Sequence, residues 1–519
     1  MRSKIIELEP DPRRWLVLAA AITAVLSTVM DGAVISLIAP EVAANLNADA
    51  TTIGLISSIN VLMIAAFVLG GGALGDVYGR KRFLSYGLIG LSITSTLAFL
   101  TPNALWLIVV RALAGIMVAV INPLALAIIT VTFDDRERPR ALGLYGAALG
   151  IAGVLSLIVI SFLNQRFGWR TTFGPGGLLA VTALLMIIPL VPESKASGDK
   201  QVDWAGILLA AAGLFGLIYG INKAATQGFA SSVVLAPVGV GLVLLVVLVL
   251  YSSKKKDPAL QLVLFQKRVF SVGVLLFAVL GFASMGTYSR LSVYLQALQG
   301  ISPLWAALTL LPYSLSVFVF AILVGGWVGK IGNRLLITGG LVMMGLGLAA
   351  MGFVLNPGAG FWAYLLPLVF IGGGYSICNT PRISVVLGSA PPELAGSASA
   401  TNNASFKLGV ALGIATLGAL FQGFANKTYF ADLAAMGLST TQITQAAQML
   451  REWLKANAGN VAAELGMTIR QLVIEISHYQ HAFTVGVSQV LWVAAAVVTV
   501  GAVLAWFTFG DNMEAGRRE

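Results

Sequence analysis

A helix needs about 20 predominantly apolar residues in a row to cross the ~30 Å hydrocarbon core of a bilayer, and this 519-residue chain contains fourteen such runs. They begin near Trp15, Thr52, Phe83, Leu105, Arg140, Phe173, Trp204, Ser231, Val269, Pro303, Leu335, Phe361, Ala395 and Ala482. A soluble globule has no interior large enough for them: 58% of the residues are hydrophobic and only 10% are charged, against about 25% charged in an ordinary soluble domain. Within lipid the backbone must satisfy its own hydrogen bonds, so runs of this length are helices. The expected fold is an all-α polytopic membrane protein with fourteen transmembrane helices. The first run, Trp15 to Pro40, exceeds the about 7–15 apolar residues of a secretory signal and reads as a retained helix.

An even number of spans puts both termini on one side, and the basic residues say which. With the N-terminus taken as cytoplasmic, same-side segments hold 21 of the 32 Lys and Arg, whereas the short loops opposite hold three (Arg166, Arg170, Lys223). Four more lie in a long loop at 425–480 and four within spans. This is the positive-inside pattern. It also accounts for the net charge of +10 as attraction to anionic lipid, and no nucleic-acid partner is expected. With two His and one Cys (Cys378) in the whole chain, neither a disulfide framework nor a metal cluster is expected. His478 and His481 sit i, i+3 without further ligands in sight. The 425–480 loop has helical periodicity and is expected to lay one or two short amphipathic helices over the outer mouth.

The chain is internally duplicated. "GGALGDVYGRKR" (71–82) and "GGWVGKIGNRLLI" (325–337) both set glycines and basic residues between apolar runs, and Gly332 follows Gly79 by 253 residues. "RERPRALG" and "PPELAGSASA" align Glu137 with Glu393, an offset of 256. Six spans therefore repeat, with two more inserted between the halves. The divisions expected are an N-terminal bundle at 1–191, two extra helices with linkers at 192–268, and a C-terminal bundle at 269–519. Duplicated helical halves around a midplane site are the architecture of secondary transporters.

"GGALGDVYGRKR" resembles the signature loop of the major facilitator superfamily, with Gly72, Leu74, Asp76, Gly79, Arg80 and Lys81 at matching positions. "MDGAVISLIAP" in span 1, "RALAG" in span 4, "DWAG" at 203, "DPALQLVLFQKRVF" at 257, "YLQALQGISP" at 294 and "FKLGVALG" at 406 are similar to its fourteen-helix drug:proton antiporter branch. The resemblance implies two six-helix bundles related by a pseudo-two-fold axis plus two inserted helices. It also implies a monomer in a bacterial inner (plasma) membrane with both termini cytoplasmic, exporting amphipathic small molecules against protons and using no cofactor beyond the gradient. Span 5 departs from that branch: Ser156-Leu157 and Ile160-Ser161 stand where Gly-Pro and Gly-Gly are usual, and those residues are credited with antiport.

The signature loop reads as a cytoplasmic gate. Glycines let a short loop turn sharply, and Arg80 and Lys81 anchor it at the interface. Asp76 has no topological use. It either faces a helix N-terminus of the other half, such as span 13 beginning near Ala395, or pairs with Arg140 across the loop. The resemblance implies the same latch, comprising Gly72, Asp76, Gly79, Arg80, Lys81 and Arg140.

Asp31 is the sole acid within a span, and a charge at mid-bilayer costs at least ~2.5–3.5 kcal/mol, so such residues are read as functional or statically paired. Arg111 and Arg290 come out at similar depth by helical rise. Asp31 with Arg111 is the expected proton-coupling pair. Arg290 is the expected partner of Asp31 when the outside is closed, with Arg111 its rival. Arg290, Lys407, Asn402 and Asn403 are candidates for the cavity or the substrate, with Lys407 open between helix contact and cavity lining, and Arg382 is expected to snorkel. "VGGWVGKIG" (324–332) lacks the first Gly and the Ser/Thr of a phosphate loop, which excludes that nucleotide machinery. The readings are then a proton-coupled exporter of amphipathic compounds, a facilitator or exporter of a lipid-like or anionic substrate without proton antiport, and, remotely, a polytopic membrane enzyme.

Overall fold

The computed structural model describes residues 13–134, 136–195, 202–228, 230–435 and 469–510. Within them the chain forms fifteen α-helices and no strand: α1 (Arg14–Leu46), α2 (Ala50–Tyr78), α3 (Arg80–Phe99), α4 (Ala104–Thr132), α5 (Arg138–Phe167), α6 (Gly174–Leu190), α7 (Trp204–Gln227), α8 (Ser232–Ser252), α9 (Arg268–Ala297), α10 (Pro303–Thr309), α11 (Leu311–Ile331), α12 (Asn333–Val354), α13 (Phe361–Gly388), α14 (Ala395–Ala435) and α15 (Ile469–Thr508). Thirteen helices among the described residues are long and apolar enough to cross a membrane. The remaining expected span is α3, 20 residues whose mean hydropathy is lowered by the basic residues and Ser/Thr of RKRFLSYGLIGLSITSTLAF. The tenth run is two helices, not one: Pro312 has no N–H to continue the ladder, and a short α10 ends at Thr309, capped by Leu310, before α11 begins. The helices expected over the outer mouth fall mostly at 436–468, outside the described residues, and α15 begins at Ile469, well before the apolar run at Ala482.

Helix starts follow local chemistry. Asp49 accepts from Thr52 N at 2.9 Å to begin α2, and Asn103 accepts from Trp106 N at 2.9 Å to begin α4, each satisfying an otherwise orphaned donor. The turns from α2 into α3 and from α11 into α12 are single glycines, Gly79 at φ +112° and Gly332 at φ +90°, in the region that side-chain-bearing residues avoid.

Helices α1–α6 pack on one another, as do α9–α15, with α7 and α8 as a hairpin laid against α2 and α14. The two halves join through α2 with α14 and α5 with α11. A pseudo-two-fold relates these seams. Gly72 abuts Gly396 and Ala400, and Gly325, 253 residues after Gly72, abuts Pro139 and Arg140. An apolar cluster at the end of the bundle carrying these contacts unites Leu18, Val25 and Leu142 with Ile383, Leu394 and Ala398, and two more continue the contact along α2, α7 and α14, joining Val68 with Ala404 and Leu62 with Ala411. At the opposite end the packing segregates: Val34, Ile35 and Ile38 of α1 cluster only with N-terminal-half residues such as Leu107 and Phe173, and Leu291, Leu295 and Phe483 only with C-terminal-half ones. The halves are thus closed on each other at one end, hereafter the latch end.

Candidate functional site

Asp76 sits at the last turn of α2 and aims its carboxylate at the first turn of α14. Oδ1 accepts from Gly396 N at 2.8 Å, and Oδ2 accepts from Ser397 N at 2.7 Å and Ser397 Oγ at 2.9 Å. Of the two alternatives for this acid, the geometry is the helix N-terminus, where orphan N–H groups and the dipole favour an anion. Arg80, one turn on, donates to Asp76 Oδ1 from Nε at 3.1 Å and Nη2 at 2.8 Å, and from Nη2 to Pro392 O at 2.5 Å. Both side chains are 3–4% exposed. The approach is close because Gly72 meets Gly396 backbone to backbone: a Cβ on Gly72 would lie 2.5 Å from Ala400 Cβ and against Gly396 O.

Two residues expected in this latch do not cross between halves. Lys81 is the second residue of α3 and turns back to its own half, donating from Nζ to Ile188 O at 2.7 Å. Arg140 is not the partner of Asp76; its backbone abuts Gly325 at the α5–α11 seam and its guanidinium lies 5.4 Å from the Trp15 ring of α1. Gly79 makes the turn, and a Cβ there would strike the Glu193 carboxylate at 2.7 Å. Glu193 caps α3, accepting from Lys81 N and Arg82 N at 3.1 Å each.

Deeper in the N-terminal half, Arg111 Nη1 donates to Asp31 Oδ1 at 2.8 Å, with both side chains 3% exposed. Asn60 Nδ2 donates to Arg111 O at 3.2 Å. Gly176 of α6 lets its helix close over the pair, since a Cβ there would come within 3.3 Å of Asp31 Cβ. Asp31 Oδ2 and Arg111 Nε have no partner among the described residues. The Asp31–Arg290 pair, expected with the outside closed, is absent from this structure, whose halves are apart at that end: α4 lies beside α1, while α9 is not among the helices packed on α1. Arg290 instead lies 6.0 Å from the Phe421 ring and reaches Ser289 Oγ only at 3.4 Å.

The C-terminal half holds a second buried cation. Arg382 does not snorkel. It is fully buried, donating to Gly273 O at 3.0 Å, Asn402 Oδ1 at 2.9 Å and Asn379 Oδ1 at 2.7 Å, with its guanidinium 4.1 Å from the Phe277 ring. Asn402 is therefore not a cavity residue: it is 0% exposed and occupied by Arg382. Asn403 is half-buried and donates to Ser399 O at 2.9 Å. Lys407 is half-buried and makes no hydrogen bond or ion pair among the described residues. In the span-5 helix α5, Ser156 donates to Ala152 O and Ile160 packs in the N-terminal-half core. At the far end His481 Nδ1 lies 2.9 Å and His478 Nδ1 3.7 Å from Asp432 Oδ2.

Sequence reasoning missed Glu193, Asn379 and the clasp around Asp203. Asp203 accepts from Gly206 N, Ala259 N, Tyr251 Oη and Lys255 Nζ at 2.8–3.0 Å, tying the α7–α8 hairpin to the segment that leads into α9. Burial pushes its carboxyl up, but these four donors outweigh burial and hold it below the usual carboxylate range. A signal was available in DWAG and DPAL, two loop acids beside short helical starts.

The sequence model of the Major Facilitator Superfamily matches residues 20–414. The chain is 29% identical to a probable actinorhodin transporter of Streptomyces coelicolor over 96% of its length and 92% of the relative's. It is 28% identical to the multidrug efflux pump LfrA of Mycolicibacterium smegmatis over 96% of each. Among solved structures, the proton:xylose symporter XylE superposes with a TM-score of 0.60 at 16% identity, covering 97% of both chains.

Proposed function

The chain belongs to the Major Facilitator Superfamily, a multi-pass membrane transporter family, and from that premise we propose that it exports amphipathic small molecules across the plasma membrane by alternating access, as a monomer driven by the proton gradient. Relatives named as an export protein and an efflux pump support the direction. The latch end, with its basic loops, is cytoplasmic in this reading, and 1–191 and 269–519 are the moving halves.

The observation that carries the reading is the asymmetry of the seam. The halves are locked at one end by Asp76, Arg80 and the α14 N-terminus, and their apolar cores separate at the other. That is one of the two end states alternating access requires. Asp31 carries the proton. It is the one acid embedded at depth, its Oδ1 is held by Arg111 and its Oδ2 has no partner. In this reading, movement of α4 relative to α1 parts Arg111 from Asp31 when the proton is taken up.

The test is transport in proteoliposomes with an imposed pH gradient and a pH-sensitive dye inside. The parent protein moves protons in step with substrate; Asp31→Asn, still folded, does not. Substrate flux with no proton movement in the parent, or unchanged pH-driven flux in Asp31→Asn, rejects the coupling.

A further inference from the structure

The export reading leaves the charge of the cargo open, and the distribution of acids closes it. Between Asp257 and Asp432 the chain has one acid, Glu393, and that residue lies in the loop before α14 at the latch end. In the N-terminal half the one embedded carboxylate is already matched by Arg111. Apart from the free Oδ2 of Asp31, which the proton reading uses, no membrane-embedded acid among the described residues is left to receive a cation. Cations are left over: Arg382 is boxed by asparagines and a carbonyl with no solvent exposure, but Lys407 and Arg290 are half-buried and lack any carboxylate.

Their placement is the second half of the argument. On α14, Lys407 stands between Val410, which packs on Gly281 of α9, and Ala411, which packs with Leu62 of α2 and Ile221 of α7. It is nearly half a helical turn around from lipid-exposed Leu412, since five residues at about 100° each give about 500°. That stripe faces the junction between the halves. Gly418 lies eleven residues on, about three turns and hence on the same stripe, some 16 Å nearer the far end at 1.5 Å per residue. A Cβ at Gly418 would lie 3.9 Å from the Arg290 guanidinium, and the Arg290 Nε has no partner. Two unmatched cations thus mark one stripe that leads from mid-depth to the unlatched end. Charges so placed are expensive unless something pairs them.

We propose, on the basis of the export reading, that the cargo is an amphipathic anion, with a carboxylate, sulfonate or phenolate on an aromatic body. Its head group is received by Lys407 and passed to Arg290 on the way out. The aromatic body has apolar partners along the route in Phe421 and in Tyr288, whose ring lies 6.1 Å from that of Tyr313.

The test uses the full chain in lipid nanodiscs and two xanthene dyes of similar size and opposite charge, fluorescein and rhodamine 6G, with binding read by anisotropy. Fluorescein is expected to bind at least tenfold more tightly than rhodamine 6G. Lys407→Gln and Arg290→Gln each weaken fluorescein at least tenfold and leave or improve rhodamine 6G, while Lys407→Arg restores fluorescein and serves as the folding control. Equal or tighter binding of rhodamine 6G, or unaltered fluorescein binding in both Gln variants, overturns the proposal. The export reading fails separately: vesicles that accumulate neither dye while nanodiscs bind fluorescein selectively refute export and leave the anion site, whereas selective export of rhodamine 6G refutes the anion site and leaves export.

Discussion

Replacing Asp76 by Asn removes charge from the latch while keeping its shape, and the structure gives the size of the effect. Asn can still accept at Oδ1 from Gly396 N, but its Nδ2 replaces the oxygen that accepts from Ser397 N at 2.7 Å. A donor then faces a donor. Loss of one hydrogen bond to a charged acceptor is worth ~1.5–3 kcal/mol, and loss of an anion at a helix N-terminus ~0.3–1 kcal/mol. The Arg80–Asp76 pair is internal to one half and persists when the latch opens, so it is excluded. The latched state is weakened by roughly 2–4 kcal/mol, a ~30- to 1000-fold shift in the opening equilibrium. The assay is labelling by a membrane-impermeant maleimide from the latch side, in a Cys378→Ser background, at Ala398→Cys, a position with 0% exposure in the cluster that joins the halves. The rate should rise at least tenfold. A second reporter at Ala98→Cys, inside the core of the N-terminal half, should stay flat. Equal rates at 398 in the Asp76 variant and the parent, or a parallel rise at 98, would show that the carboxylate does not hold the seam.

Arg382→Gln strips the shared donor from Gly273 O, Asn379 Oδ1 and Asn402 Oδ1; with each buried acceptor left unsatisfied costing ~1–3 kcal/mol, its melting midpoint in detergent should fall well below the parent's, and an unchanged midpoint would mean Arg382 is not structural. The Asp203 clasp should depend on pH in one direction only. Its carboxyl is depressed in the folded state, so its stabilisation is fully present above the unfolded value of about 3.9 and is lost as pH falls through the folded value; hydrogen exchange in the 253–260 segment should therefore be flat from neutral pH to about 5 after correction for intrinsic rates and rise only below about 4. A rise already at pH 6 would assign the segment's order to other groups.

The spans were legible because a bilayer imposes one rule on every helix, and the seam because a duplicated glycine pattern marks both halves. What the sequence left open was which near neighbours touch. Asp31 had two arginines at similar depth, and depth along one axis does not give the angle around the bundle; only packing shows that α4 lies beside α1 and α9 does not. Arg382 was misread because snorkelling assumes a lipid-facing or interfacial side chain, whereas Gly273 lets α9 pack closely on Val386 of α13, so that Gly273, Phe277 and Asn402 enclose it. Lys81 and Arg140 were assigned to the latch because they share its loop motifs, yet Lys81, one residue past Arg80, emerges about 100° around the helix, and Arg140 belongs to α5, whose contact across the halves is with α11.

The duplication also explains why the latch has only one carboxylate. Adding 253 to Asp76 gives Gly329, and adding 253 to Arg80 gives Asn333. The second seam thus keeps the glycine crossing, Gly325 on Arg140, but has neither the acid nor the arginine. It is held instead by apolar and backbone packing: Gly143 against Ala321 O and Gly150 against Phe318. Packing of that kind is non-directional and tolerates sliding or tilting, whereas the three hydrogen bonds that Asp76 accepts from the α14 N-terminus are either made or broken. In the export reading, two seams of opposite character let the halves rock about the α5–α11 contact while the α2–α14 contact opens, and divergence of the two copies at 329 and 333 is what separates the hinge from the latch.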